Sequence, residues 1–262
     1  MREMKRHSCV VFLAFLAGPA HCQVAPPDGA ASQIRKEWAL GQHLAVDLER
    51  RDGRINDPAI IRYLQRVENQ IAVAISGKSL EVRVTRGSDQ YSFLMPHGVL
   101  YLSGSLVERL ESEAELAGLL AHQLEHIRGN KFATTSVQGL EVRSPACVLA
   151  SQLPIGRSDE MRERELQATV GAVKDLKVAG YEPVAILELL SKLVYEHPGW
   201  ARAIPPEDLL DIRATLETDA PPAREYLVDS SDFMQQHANL VVALGHAARK
   251  AHPPSLVSAR KR

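Results

Sequence analysis

Two hydrophobic periods alternate along the chain from residue 32 onward. Over residues 32–51, Ile34, Trp38, Leu44, Ala45 and Leu48 recur at helical spacing and share one face. Asp57-Pro58 is an N-cap followed by proline at the first helical position. Ile61, Leu64, Val67, Ile71 and Ala74 then predict a second amphipathic helix, which Gly77 stops. The period next drops to two. Leu80, Val82 and Val84 alternate with Glu81, Arg83 and Thr85, the pattern of a half-buried strand. Residues 91–95 and 99–103 predict two further strands, joined through Pro96-His97-Gly98 as a hairpin. Helices follow over residues 112–129, 158–179 (stopped by Gly180), 183–196 and 206–217, with a weaker one over 233–250. The order of helices, small sheet and helices predicts one mainly helical α+β domain over residues 32–217. Residues 218–262 form a C-terminal extension, expected to be partly disordered, above all over 252–262.

The first 22 residues stand apart. Arg2, Lys5 and Arg6 precede a ten-residue apolar run, 9–18, and Ala20 and Cys22 supply small residues where a signal peptidase reads. Residues 1–22 are therefore expected to be a cleaved signal peptide, with an uncleaved anchor as the alternative. The expected location is exported, periplasmic or secreted. No internal run approaches the ~20 apolar residues of a membrane span, although association with a membrane surface stays open. The net charge is -1 and aromatic residues are few. Neither a basic field nor a stacking surface points to nucleic acid. Three Cys are present, and cleavage after Cys22 leaves Cys147 alone, so a packed core rather than a disulfide must stabilise the fold.

Candidate chemistry lies in the helix over 112–129. Ser112 and Glu115 have the spacing of a capping box, which sets the register of the whole helix. His122-Gln123-Leu124-Glu125-His126 then places two imidazoles four residues apart on one face, where both can reach one Zn²⁺ at ~2.1 Å. Ten His in the chain make such a pair a modest signal alone, and satisfied core histidines are the alternative. A third ligand is offered by Glu165. Its helical neighbours Ala168, Thr169, Ala172 and Leu176 are small or apolar, so its carboxylate points inward, where it needs a metal or an ion pair such as Arg162 or Arg164.

These segments resemble peptidase family M48. Residues 111–126 (ESEAELAGLLAHQLEH) are similar to the family segment that ends in H-E-x-x-H. Glu165-Leu166-Gln167-Ala168-Thr169, followed by Ala179-Gly180-Tyr181-Glu182-Pro183, resembles its E-x-x-A-D segment and A-G-Y-D-P ending. Residues 92–98 and Tyr101 resemble its A-F-A-L-P-G-G strand pair, and residues 55–58 with Tyr63-Leu64 its early helix. The resemblance implies a minigluzincin-type, zinc-dependent metallopeptidase domain. It implies one zinc ion held by His122, His126 and Glu165, with His197 as a further candidate near it. It implies an extended polypeptide bound along a sheet edge by main-chain hydrogen bonds. The strand carrying Val99, Leu100 and Tyr101 is the expected edge.

Departures from the family pattern surround the same site. Gln123 stands where the family has its general base, and Thr169 where it has an Asp that would steady a ligand His. Tyr91 replaces an Asn, and Lys131 a frequent His. A neutral amide cannot accept a proton from water, and loss of such a base costs roughly 10²–10⁴-fold. The expected function is thus an exported M48-like zinc-binding domain, impaired in peptide-bond hydrolysis, that acts by binding a polypeptide substrate or client protein. The alternatives are an active zinc endopeptidase of reduced rate, working on unfolded or extracytoplasmic proteins, and a structural domain without metal. The oligomeric state is not legible.

Overall fold

The computed structural model describes residues 28–75, 77, 79–95, 98–128, 133–137, 140–144, 158–218 and 225–251. The expected signal peptide, the tail over 252–262, Lys131 and Cys147 lie outside them. The chain opens with α1 (Asp28–Asp52) and α2 (Pro58–Ala74). As the sequence predicts, Asp57 caps α2, its carboxylate accepting from the backbone N–H of Ala59 at 2.8 Å and of Ile60 at 3.3 Å. On α1, Ala45 and Leu48 are buried, whereas Trp38 is 49% exposed and so leaves the expected apolar face.

Three strands follow: β1 (Glu81–Thr85), β2 (Ser92–Leu94) and β3 (Val99–Ser103). β2 and β3 form the expected antiparallel hairpin, closed by Met95 N–H to Val99 O at 2.8 Å. Gly98 takes φ +83°, which a side chain would resist. The sheet order is β1-β3-β2, with β1 parallel to β3. This corrects one expectation: β3 is the central strand, paired on both sides, and not an edge. All five of its residues are buried, as a strand covered on both faces requires. Val99, Leu100 and Tyr101 therefore present no free backbone to an extended peptide. The Tyr101 hydroxyl is turned to α1, donating to Glu49 at 2.6 Å and accepting from Arg83 at 2.8 Å.

Glu68 joins α2 to the sheet. It is fully buried and accepts from Leu80 N–H at 2.7 Å, Ser79 Oγ at 2.8 Å and Gln65 Nε2 at 2.9 Å. Those bonds offset the desolvation that pushes its carboxyl pKa upward. After β3 come a short helix, α3 (Gly104–Glu108), and then α4 (Glu113–Arg128). Ser112 Oγ accepts from Glu115 N–H at 3.1 Å, as in a capping box. The return bond is shifted by one residue: Glu115 accepts from Glu111 N–H at 2.7 Å, and its carboxylate also holds Lys192 at 3.1 Å.

An unforeseen antiparallel hairpin, β4 (Ala133–Val137) and β5 (Leu140–Ser144), separates α4 from α5 (Ser158–Ala179). α5 ends at Gly180, φ +84°, where the sequence places its stop. The chain closes with α6 (Ala185–Glu196), a 3₁₀ turn (Pro198–Arg202), α7 (Pro206–Thr218) and α8 (Ser231–Ala251).

α4 runs through the middle of this assembly. Its Leu116, Leu119 and Leu120 are fully buried in one core with Leu64 and Ile71 of α2, Leu176 of α5 and Ile186 of α6. Gly118 lets α6 approach: a Cβ there would meet Ile186 at 2.8 Å. Phe233 and Leu240 of α8 belong to the same core. The stretch before α8 is bonded in as well. Leu227 exchanges backbone bonds with Gly180 and Glu182 at 2.9 and 3.0 Å, and Val228 O accepts Ala114 N–H at 2.9 Å. That last bond satisfies one of the N–H groups that the first turn of α4 leaves open. The buried Glu113 carboxylate completes the join, accepting from Tyr63 at 3.1 Å, Tyr181 at 2.9 Å and Ser230. Among the described residues, no helix is long and apolar enough to cross a membrane.

Candidate metal centre

The capped start of α4 places His122 and His126 one turn apart on the side that meets α5. Glu165 lies at the start of the third turn of α5 and faces them. His122 is fully buried, His126 is 5% exposed and Glu165 8%. One carboxylate oxygen, Glu165 Oε2, stands 3.5 Å from Nε2 of His122 and 3.5 Å from Nε2 of His126. The two rings meet edge to face, centroids 4.8 Å apart. One ligand atom from each of the three residues lies within 4.8 Å of the others, the one such group among the described residues.

This donor set fits a divalent metal. Ligands ~2.1 Å from a tetrahedral zinc stand about 3.4 Å from one another, close to the two 3.5 Å edges. His126 Nε2 is buried with no hydrogen-bond partner among the described residues, as a nitrogen reserved for a metal would be. Burial, and after it the neighbouring His126, push the His122 pKa down to about 4, against the opposing pull of Glu165. Its imidazole is therefore neutral near pH 7, the form that donates a lone pair.

The face of α5 that carries Glu165 is as the sequence predicts, with Ala168, Thr169, Ala172 and Leu176 all buried. Arg162, one alternative partner for Glu165, is bound instead to Asp208 at 2.6 and 2.9 Å. Gln123 is fully buried, and neither atom of its amide finds a hydrogen-bond partner among the described residues. Thr169 donates its hydroxyl to the Glu165 carbonyl one turn back at 2.8 Å, so its bond is to ligand backbone and not to a ring. His197 is not brought to the cluster. It follows α6, with Nε2 3.2 Å from Gln90 Oε1 and its ring stacked on Trp200.

One group beside the centre is not foreseen from the sequence. Glu125 packs over Gly171 of α5, where any Cβ would collide with its carboxylate. Arg128 bridges Glu125 at 2.5 Å and Asp175 at 3.2 Å, tying α4 to α5 below the ligands. The available signal was Gly171 itself, since glycine inside a helix costs ~1 kcal/mol against alanine and so calls for a packing reason.

Burial raises both carboxyls above their ordinary values of 4.5 for Glu and 3.8 for Asp; for Glu125 the charge of Asp175 adds to the effect. The folded chain therefore holds more protons than the unfolded one just above those values, and stability declines as pH rises through that interval. Asp175→Asn should flatten the decline. Urea midpoints of the metal-free protein, measured from ~pH 4.5 to ~pH 8, would show it; equal slopes in both proteins would refute it.

Fold and site together define a class: a mainly helical domain built around a two-histidine, one-carboxylate metal centre on two packed helices. Residues 57–161 match the model of Peptidase family M48, so this part of the chain is an M48-type domain. The match includes His122, Gln123 and His126 and stops four residues short of Glu165. No curated protein matches the chain. Members of the family are zinc metallopeptidases, so the domain is peptidase-like and zinc is the metal its centre is suited to.

Proposed function

We propose that this is an exported M48 domain that holds one zinc ion through His122, His126 and Glu165 and binds polypeptide with little or no hydrolysis. The observation that carries the reading is a buried, convergent ligand set beside a neutral amide at position 123. Zinc, when bound, would lower the pKa of a coordinated water and polarise a substrate carbonyl. The chain's own groups decide whether a peptide bond then breaks. Gln123 can hydrogen-bond to an oxygen in the site, yet it can neither take a proton nor pass one to a leaving nitrogen. Glu125 does not replace it, because its carboxylate is packed against Gly171 and paired with Arg128.

β3 is paired on both sides and offers an extended peptide no edge. The test is zinc stoichiometry and casein cleavage on the same sample. About one zinc per chain with cleavage at the chelator-treated background supports the reading. Chelator-sensitive turnover at peptidase rates would instead make this a working endopeptidase, and a chain without zinc would leave a structural domain.

A further inference from the structure

Gln123 is wholly buried, and both its N–H donors and its carbonyl are unbonded among the described residues. It lies ~60° round the helix from His126, on the opposite flank from Glu125. An amide buried in this way costs free energy until a partner meets it. The chemistry of the centre restricts that partner. Imidazole nitrogens committed to a metal accept nothing, so the amide N–H is left to an oxygen held at the metal, that of a water or of a ligand that displaces it.

Charge points the same way. Two neutral imidazoles and one carboxylate leave a divalent ion with one uncancelled positive charge in a buried site. A glutamate at 123 would cancel that charge and repel any anion brought to the metal. Glutamine leaves the charge standing and supplies a donor. We propose that the centre is a carboxylate-binding site: a carboxylate occupies the open position of the metal, with Gln123 Nε2 donating to it. This rests on the metal-binding reading above and replaces a general polypeptide ligand by one chemical feature, of the kind a peptide C-terminus supplies.

The test uses the full chain loaded with cobalt(II), whose visible absorption reports the ligands around the ion. Acetate is titrated into wild type, Gln123→Glu and Gln123→Leu. A charge-assisted hydrogen bond should make the apparent Kd of the wild type at least ~10-fold lower than that of Gln123→Leu, and lower still relative to Gln123→Glu. An N-acetylated tripeptide with a free C-terminus is then compared with its C-terminal amide. Response to the free acid alone assigns the carboxylate to chain ends, and response to acetate but to neither peptide assigns it to small free acids. Equal acetate affinity in wild type and Gln123→Leu, or a binding response of equal size to free and amidated peptide, overturns the proposal. Gln123→Glu keeps the comparison available should Gln123→Leu fail to fold. Absence of any cobalt spectrum in all three proteins is a different failure, because it removes the metal centre itself.

Discussion

Gln123→Glu should cleave unfolded casein at least ~10²-fold faster than the wild type. The surroundings of position 123 are already those a base would need. The ligand atoms of His122, His126 and Glu165 converge, and the buried amide at 123 is not tied to a neighbour among the described residues that its replacement would strand. The substitution adds one oxygen in place of one nitrogen, so packing in α4 is disturbed little. It supplies a group that can accept a proton from water and return it to the leaving amine. Thr169→Asp, added to it, should raise the rate further, since an outer carboxylate near ligands is commonly worth 10–100-fold. Casein assays with a chelator control decide the matter. Wild-type turnover within a few fold of the variant would show that Gln123 is no barrier to catalysis. No gain in either variant would mean that more than the base has been lost.

Glu165→Gln should abolish stabilisation by zinc while leaving the metal-free fold nearly unchanged. Glu165 is a buried carboxylate on a face of α5 that is otherwise small or apolar, where charge is costly. The amide has the same shape and no charge, so its folding cost is small. Its oxygen is a far poorer zinc ligand, and affinity should fall by more than the ~10–100-fold seen for outer partners. Zinc at ~100 times its Kd adds ~2.7 kcal/mol to the wild type. That corresponds to a rise of roughly 5–10 °C in Tm for a domain of this size. Thermal unfolding with and without zinc reads both effects. An equal zinc-induced rise in the variant would show that Glu165 is not a ligand.

Much of the fold was legible because its signals are local. Asp57-Pro58, Gly98 and Gly180 each act within a few residues of themselves, and the structure places an element end at every one. The two histidines and Glu165 were legible for a related reason: helical spacing alone states which face each side chain takes. Non-local pairing was harder. β1 and β3 are parallel and joined through a whole intervening strand, so no turn residue announces the pair. A signal did exist, since Val99-Leu100-Tyr101-Leu102 is an unbroken apolar run, the mark of a strand covered on both faces rather than of an edge. The β4–β5 hairpin gave weaker cues. Leu140-Glu141-Val142-Arg143 alternates over only four residues, and residues 133–137 offer one large apolar side chain. Glu125 and Asp175 were invisible because two carboxylates about fifty residues apart meet only after α4 and α5 have packed.

The join at the N-terminus of α4 bears on how the protein is made. Helix α4 carries both imidazoles, yet one of its first N–H groups is satisfied by Val228, and Glu113 is satisfied in part by Ser230. Those partners leave the ribosome more than a hundred residues after the helix start they complete. A nascent chain halted at Thr218 therefore has every proposed ligand but an unfinished support for the helix that holds two of them. Assembly of the centre should lag behind synthesis of its parts. Metal offered to chains arrested at successive lengths should be retained only once residues 225–230 have emerged.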